Sequence, residues 1–535
     1  MTIYLDYAAT TPVDPRVAAA MFECLTDAHV QANPASVTHG PGLAARQRVE
    51  AARAQVAALI GASPREIIFT SGATEANNLA LLGVARAALR GGGRSHVVSS
   101  RTEHKSVLDT CKQLEKEGFA VTLVEPDASG RVPPEAVRAA LRADTLLVSL
   151  MLVNNETGAI SDIAAIAQIC RARGVLVHTD AAQAVGKLPV DVESLGVDLL
   201  SLTAHKFYGP KGIGALYVRE SARPRIAPIQ FGGGHERGLR SGTLPTHQIA
   251  GLGVAAELAR SQGAADAAHA RDLAARLWRE LESMPGAMLN GPRLQGLEDQ
   301  RVPGLINVSI AGVEGESLIT GLSGLALSTG SACSSATREP SYVLRSLGRS
   351  AELAQSSLRV SLGRFTTAAE VDAAATDIRA EVARLRTLAG TAEPGSEQAD
   401  RTPGAEGPSD SLLVRTLNPL TRRYFAAAPR VPAFPEDNVP PDLRHGRAGR
   451  QADGTAVFFE LQIADGTVKS ARFTAYGCPH TVAVVGWLCE VMEGRSLDAG
   501  IPGSPASWAQ EFEVPAEKLG RLLIVEDALR AALKP

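Results

Sequence analysis

Asp198-Leu-Leu-Ser-Leu-Thr-Ala-His-Lys-Phe-Tyr-Gly-Pro-Lys-Gly-Ile-Gly214 is the stretch whose reading decides the fold. An apolar run ends in small and hydroxyl residues, meets His205-Lys206, and passes into a glycine-rich turn. A lysine in that setting belongs at the mouth of a fold, not on a solvated helix face. Upstream, Val175-Leu-Val-His-Thr-Asp-Ala-Ala-Gln183 reads as a second apolar strand, ending in an acid. Working outward, Ile67–Thr70, His96–Ser100, Ala120–Val124 and Thr145–Leu150 are further short apolar runs. Ala- and Arg-rich helical segments separate them, such as Gly42–Ile60 and Ile163–Ala172. Alternation at this spacing predicts an α/β fold with a parallel sheet covered on both faces.

The pattern shortens after Leu305-Ile-Asn-Val-Ser-Ile310. A smaller α+β domain is expected there, ending in a helix from Ala368 to Leu388. Composition then changes: residues 391–411 are rich in Gly, Pro, Ser and charge with no apolar period, and read as a flexible linker. Residues 412–535 read as a separate module. In it, Val457–Ile463 and Val468–Ala475 flank Ala464-Asp-Gly-Thr467 as a β-hairpin, and helical patterns follow at Thr481–Glu493 and Glu526–Leu533.

The chain has 535 residues, 45% hydrophobic and 21% charged, with a net charge of −3. That length is too great for one core. The charge balance points to neither nucleic acid nor an anionic membrane as a partner. No apolar stretch approaches a membrane span, and the N-terminus lacks a signal-peptide pattern. The six cysteines (24, 111, 170, 333, 478, 489) form no dense framework and suit a reducing cytoplasm.

Lysine and acid together suggest pyridoxal 5'-phosphate. Asp180 would face the pyridine nitrogen, keeping it protonated and the ring able to accept electrons, while Lys206 would join the aldehyde. Thr70-Ser-Gly-Ala-Thr-Glu-Ala-Asn-Asn78 is a small-residue turn from strand to helix. Its backbone amides around Ala73 and the Thr74 hydroxyl would hold the phosphate dianion. Thr203 and His205 could add phosphate contacts, His104 could stack on the ring, and Gln183 could reach the ring hydroxyl oxygen. A second nucleophile is expected in Ala326-Leu-Ser-Thr-Gly-Ser-Ala-Cys-Ser-Ser-Ala336. A thiol among residues with so little to bury should be exposed and reactive. Cys24, Cys111 and Cys170 read as small buried residues. An aldehyde cofactor and a delivered thiol together suggest sulfur abstraction from an amino acid.

Tyr4-Leu-Asp-Tyr-Ala-Ala-Thr-Thr-Pro12, Phe69–Glu75, Val153-Asn-Asn-Glu-Thr-Gly158, His205-Lys206, Gly232–Thr243 and Gly330-Ser-Ala-Cys333 closely resemble the housekeeping cysteine desulfurases that feed iron–sulfur assembly. The likeness covers residues 1–390. It implies a fold-type I pyridoxal-phosphate enzyme, a cytoplasmic homodimer, that converts L-cysteine to L-alanine and leaves a persulfide on Cys333. Carried over by motif, Lys206 holds the cofactor aldehyde, Asp180 and Gln183 contact the ring, and His104 stacks and moves protons. Ala73, Thr74, Thr203 and His205 hold the phosphate, with Thr243 reaching it from the neighbouring subunit. Asn155 and Arg359 bind the substrate carboxylate, a task that suits a guanidinium fork. A selenocysteine lyase-like relative is the alternative.

Residues 412–535 more loosely resemble the U-type iron–sulfur scaffolds, through Asn418-Pro419, Phe459–Ile463, Ala471–Cys478, Glu493–Asp498 and Val525–Leu529. That family binds its cluster with three cysteines, an aspartate and a histidine. Of these, Cys478 remains. The other positions fall near Thr455, Val457 and Gly520-Arg521, too few strong ligands for a cluster, and no metal site is expected. Cys489 reads as core. Two readings stand: a binding or regulatory module that docks near the Cys333 loop and accepts sulfur on Cys478, and a working scaffold with unusual or intersubunit ligands; iron–sulfur scaffold or other sulfur-acceptor proteins are the expected partners.

Overall fold

The computed structural model describes residues 2–89, 95–296, 299–329, 340–391, 416–427 and 442–534. Cys333 and nearly all of the expected linker lie outside the described residues. The large domain is built on a seven-stranded sheet. Its strands are β2 (Ile67–Thr70), β3 (His96–Ser100), β4 (Ala120–Val124), β5 (Thr145–Met151), β6 (Leu176–Asp180), β7 (Leu199–Thr203) and β8 (Gly214–Val218), in the order β2-β8-β7-β6-β5-β3-β4. A short strand, β1 (Ile3–Tyr4), precedes them in the chain and lies outside this sheet.

The expectation of an all-parallel sheet needs one correction. Strand β8 runs antiparallel to both β2 and β7. Residues 204–213 between β7 and β8 form a tight turn, with no helix to carry the chain back across the sheet. Without a crossover, the next strand must return antiparallel. The remaining strands are parallel, and β5, β6 and β7 are buried along their whole length, as helix-covered strands must be.

The 37-residue helix Thr246–Glu282 links the two halves of the enzyme. Its first part packs Ile249, Leu252 and Ala256 into the large-domain core, and its last part gives Leu273, Leu277 and Leu281 to the small domain. There β9 (Ala287–Leu289), β10 (Leu305–Ile310) and β12 (Ser357–Ser361) form an antiparallel sheet, while β11 (Leu325–Ala326) pairs with β1. The helix Ala368–Leu388 closes this domain and starts with a Thr367–Glu370 capping box.

The C-terminal unit is an antiparallel meander of β13 (Leu443–Arg450), β14 (Thr455–Ala464) and β15 (Thr467–Tyr476) backed by helices. The expected hairpin is present. Its Asp465-Gly466 turn has both residues at positive φ, +50° and +67°, as a two-residue hairpin connection requires. The last helix, Leu519–Leu533, begins seven residues earlier than the sequence pattern suggested. Val525, Leu529 and Ala532 anchor it, and the exposed Gly520 does not interrupt it. The unit's apolar residues, including Phe459, Phe473 and Leu488, run continuous with the small-domain core around Val308 and Leu358. No helix among the described residues is long and apolar enough to cross a membrane.

Candidate active site

Strand β7 ends at Thr203, and one 3-10 turn, Ala204–Lys206, presents the lysine. Lys206 is half-buried and donates to the Ala8 carbonyl and, at 2.8 Å, to the Ala9 carbonyl. The N-terminal segment therefore forms a wall of the site. The Thr11 hydroxyl donates to the His205 carbonyl at 3.0 Å and accepts the Tyr208 N–H at 2.7 Å, while His205 Nδ1 lies 3.2 Å from Thr10 Oγ1. Burial, then the charges of Lys206, Lys211 and Lys187, push the His205 ring down to about 4. It is a neutral imidazole at pH 7.

Asp180 closes β6, opposite Met151 on β5 and Ser201 on β7. Its carboxylate accepts the Ala182 N–H at 2.9 Å and the Asn77 side-chain amide at 2.7 Å. Asn77 also donates to Ser106 Oγ at 2.9 Å. Ser106 Oγ lies 2.8 Å from His104 Nδ1, which accepts the Ser106 N–H at 3.1 Å as well. One polar chain thus joins two predicted residues, His104 and Asp180, through two that sequence reasoning missed. The available signal was helical spacing: Asn77 lies one turn beyond Ala73, in the segment already singled out.

The helix Ala73–Leu89 starts just after β2. N–H groups in a first helical turn have no intrahelical acceptor. The start is crowded: a Cβ on Gly214 would lie 2.8 Å from Gly72 Cα, and one on Gly72 would lie 3.7 Å from Thr203 Oγ1. Those two glycines bring β8, Thr203 and the Ala73–Thr74 turn together. Thr74 and Thr243 are exposed. The loop carrying Thr243 is tied to this helix by Arg240, which donates to Glu75 at 2.8 Å. Glu236 in the same loop pairs with buried Arg53 at 2.7 Å and accepts the Phe69 N–H at 2.7 Å.

At the far end, Arg359 on β12 is 2% exposed. It donates to the Asn155 carbonyl at 3.0 Å, to Asp6 at 2.9 Å and to Ser328 Oγ at 2.8 Å. Arg359 Nε and Asn155 Oδ1 are buried with no hydrogen-bond partner. Asp6 is a third omission of the sequence reading, though it stands in the quoted Tyr4–Pro12 motif. Ser328 and Ser341 bracket the segment containing Cys333, and Ser341 Oγ donates to Glu156, next to Asn155, at 2.5 Å. Both roots of that segment are therefore fastened at the Asn155–Arg359 clamp. Cys24, Cys111 and Cys170 are buried as expected.

Residues 3–374 match the aminotransferase class-V family. The cysteine desulfurase IscS of Aeromonas salmonicida is 56% identical over 388 residues, covering 72% of this chain and 94% of the relative. That of Shewanella baltica is 54% identical over the same length. The chain belongs to the cysteine desulfurases.

Among solved structures, a NifS-like protein superimposes on this desulfurase with a TM-score of 0.65 at 37% identity, covering 71% of this chain and 98% of that one. DndA from Streptomyces lividans matches with a TM-score of 0.56 at 41% identity, over 67% and 99% of the two chains. Both neighbours share the fold-type I architecture of pyridoxal-phosphate enzymes. The donor set fits pyridoxal phosphate. It offers an acid for a ring nitrogen, a lysine for an aldehyde, helix-start amides for a phosphate, and, beside Asn155, the orphaned buried donor Arg359 Nε for a substrate carboxylate.

Residues 429–535 of the desulfurase match the NifU-like N terminal domain. Cys478, at the start of the helix Pro479–Met492, is 0% exposed, and its thiol lies 3.4 Å from Thr481 Oγ1. The lost ligand positions are occupied by other chemistry. Arg521 sets its guanidinium against the Cys478 thiol and reaches the Gly454-Thr455 turn. Lys518 lies 3.2 Å from His480 Nδ1. Among the described residues no group of three or more His, Cys, Asp or Glu could hold a metal. These cations face the enzyme: Lys518 pairs with Glu316 at 2.5 Å and Arg521 with Glu314 at 3.6 Å. Ser317 Oγ donates to the Gly477 carbonyl at 2.7 Å beside them. Cys478, the one cysteine at a scaffold-ligand position, is sealed against the small domain, so accepting sulfur there would require this contact to open.

Proposed function

We propose that the chain removes sulfur from L-cysteine, releasing L-alanine and leaving a persulfide on Cys333 for iron–sulfur cluster assembly or another acceptor. The observation that carries this reading is the convergence of Lys206, the Asp180–Asn77–Ser106–His104 chain and the Arg359–Asn155 clamp, with both roots of the Cys333 segment fastened to the clamp. Bound there, pyridoxal phosphate supplies an aldehyde for the substrate amine and a ring that accepts the electrons released at Cα.

The protein's own groups do the rest. Asp180 holds a proton at the ring nitrogen, and Gln183 contacts the ring oxygen. Ala73, Thr74, Thr203 and His205 bind the phosphate, with Thr243 of the partner subunit in a homodimer. Arg359 Nε and the Asn155 amide receive the substrate carboxylate. Lys206 would join the aldehyde and would move the proton at Cα. His104 accepts at Nδ1 from Ser106, so its proton traffic runs through Nε2. The Cys333 thiolate forms an S–S bond to the substrate sulfur as the Cβ–S bond breaks. Cys333→Ala should retain the cofactor absorbance, form no persulfide and release no sulfide; full activity in it would overturn the assignment. Parallel turnover of cysteine and selenocysteine separates the selenocysteine lyase reading.

We read the chain as enzyme 1–390, linker 391–411 and scaffold-like domain 412–535, working in the cytoplasm. The buried Cys478 and the Lys518–Glu316 pair favour docking over sulfur acceptance or cluster assembly for the last domain. Anaerobic reconstitution with iron and sulfide tests this: a stable cluster spectrum would overturn it.

A further inference from the structure

Lys187 takes no part in the mechanism above, yet its side chain enters the site. It follows β6 by seven residues, in a turn whose backbone closes from the Lys187 N–H to the Ala184 carbonyl at 3.0 Å. Its Nζ donates to Gln183 Oε1 at 2.6 Å. Gln183 is buried and donates from Nε2 to the Ala8 carbonyl at 2.8 Å, the same carbonyl that receives Lys206. A side-chain amide has one acceptor oxygen and two N–H donors. Turned over, Gln183 would set its oxygen against the Ala8 carbonyl oxygen and its NH2 against the Lys187 amine. The Ala8 carbonyl therefore selects one orientation, and the protonated Lys187 amine selects the same one. With Oε1 held by Lys187 and one N–H held by Ala8, the second N–H is the group left to serve a ligand.

We propose that Lys187 is a positioning residue for the cofactor, pinning Gln183 so that this N–H is delivered to the ring hydroxyl oxygen of pyridoxal phosphate. The inference rests on the reading of Gln183 as a ring contact. The cost of keeping Lys187 there is visible: burial, then the charges of Lys206 and Arg359, push its amine down to about 7. A lysine held under such pressure beside a buried glutamine matches a directed contact better than a solvated surface cation.

The test uses full-length holoenzyme and reads the absorbance band of the bound cofactor, its pH midpoint and the cofactor release rate. Lys187→Met is expected to move the midpoint by about half a unit or more and to speed release about threefold or more, as a lost hydrogen bond of ordinary strength does. Lys187→Arg, which keeps a donor, should restore at least half of each shift. Gln183→Leu should produce the same changes, and Lys187→Met should add nothing in that background. Gln183→Glu, which accepts from Lys187 but cannot donate, should mimic Gln183→Leu with Lys187 intact, and this arm serves if Lys187→Met does not fold. Gln183→Leu with an unchanged spectrum would overturn the ring contact itself. A shift in Gln183→Leu with none in Lys187→Met, or an undiminished Lys187→Met effect in the Gln183→Leu background, would overturn the Lys187 proposal alone.

Discussion

Asn77 and Asp180, 103 residues apart in the chain, meet through a 2.7 Å hydrogen bond that ties the helix Ala73–Leu89 to the end of strand β6. The bond has a direction. Asn77 gives one N–H to the Asp180 carboxylate and the other to Ser106 Oγ, and Ser106 gives both its N–H and its hydroxyl to His104 Nδ1. In a neutral His104 the proton must then sit on Nε2. The acid proposed to tune the ring and the histidine proposed to move protons are set by one run of donors.

Asn77→Leu should therefore weaken cofactor binding. A hydrogen bond to a charged group contributes about 1.5–3 kcal/mol, which corresponds to roughly a tenfold to hundredfold faster loss of cofactor. Absorbance-monitored dissociation checks this, and Asn77→Asp should be worse, because it sets a second carboxylate against Asp180.

Arg359 reaches Asp6, Ser328 and the Asn155 carbonyl at once. Arg359→Lys keeps the charge but not the fork. Loss of a buried charged contact of this kind costs about 2–5 kcal/mol, so kcat/KM for cysteine should fall at least about thirtyfold, mostly through KM, with the cofactor spectrum retained. Steady-state kinetics over a range of cysteine concentrations decides it.

The Arg53–Glu236 pair has both side chains almost fully buried, at 3% and 2% exposure. Glu236→Gln removes the buried counter-charge of Arg53 and leaves it only the half-exposed Glu50, 3.2 Å away. Breaking such a pair costs about 3–5 kcal/mol. The unfolding midpoint should drop by several degrees, and the Thr243 loop should become more sensitive to protease.

His178 sits inside the sheet, with Nδ1 2.8 Å from Ser149 Oγ and Nε2 2.9 Å from Ser201 Oγ. Burial pushes it down from 6.5 to about 4, with Asp180 opposing weakly. The folded value is the lower one, so the unfolded chain binds more protons between those two values. The His178 contribution is complete above pH 6.5 and is lost as the pH falls toward 4, about 3 kcal/mol in all. Denaturant titrations at pH 7 and pH 4.5 should show that loss, and His178→Gln should flatten it even while lowering stability at pH 7.

Lys518 is 2% exposed where it meets Glu316 across the domain contact. If the linker is opened by a protease site inserted near residue 400, the C-terminal fragment should still co-elute with the enzyme in gel filtration. Glu316→Lys should release it, because the substitution sets a like charge against a buried cation.

The chain's local chemistry was legible in its residues. Asp180 and Lys206 stood out as candidates because Asp180 ends strand β6 and Lys206 follows β7 by one turn, and a strand terminus in an α/β sheet is where a side chain meets ligand instead of core. The helix Ala368–Leu388, the Asp465-Gly466 hairpin and the depleted ligand set around Cys478 were legible for the same reason: capping, turn and coordination chemistry are short-range. The reversal of β8, the Asn77 and Asp6 contacts, the amide orientation of Gln183 and the seal over Cys478 were decided by tertiary structure. Each depends on groups tens to hundreds of residues apart arriving at one place. A hydrogen bond or an ion pair acts over a few ångströms whatever its span along the chain, and only the folded packing supplies that distance.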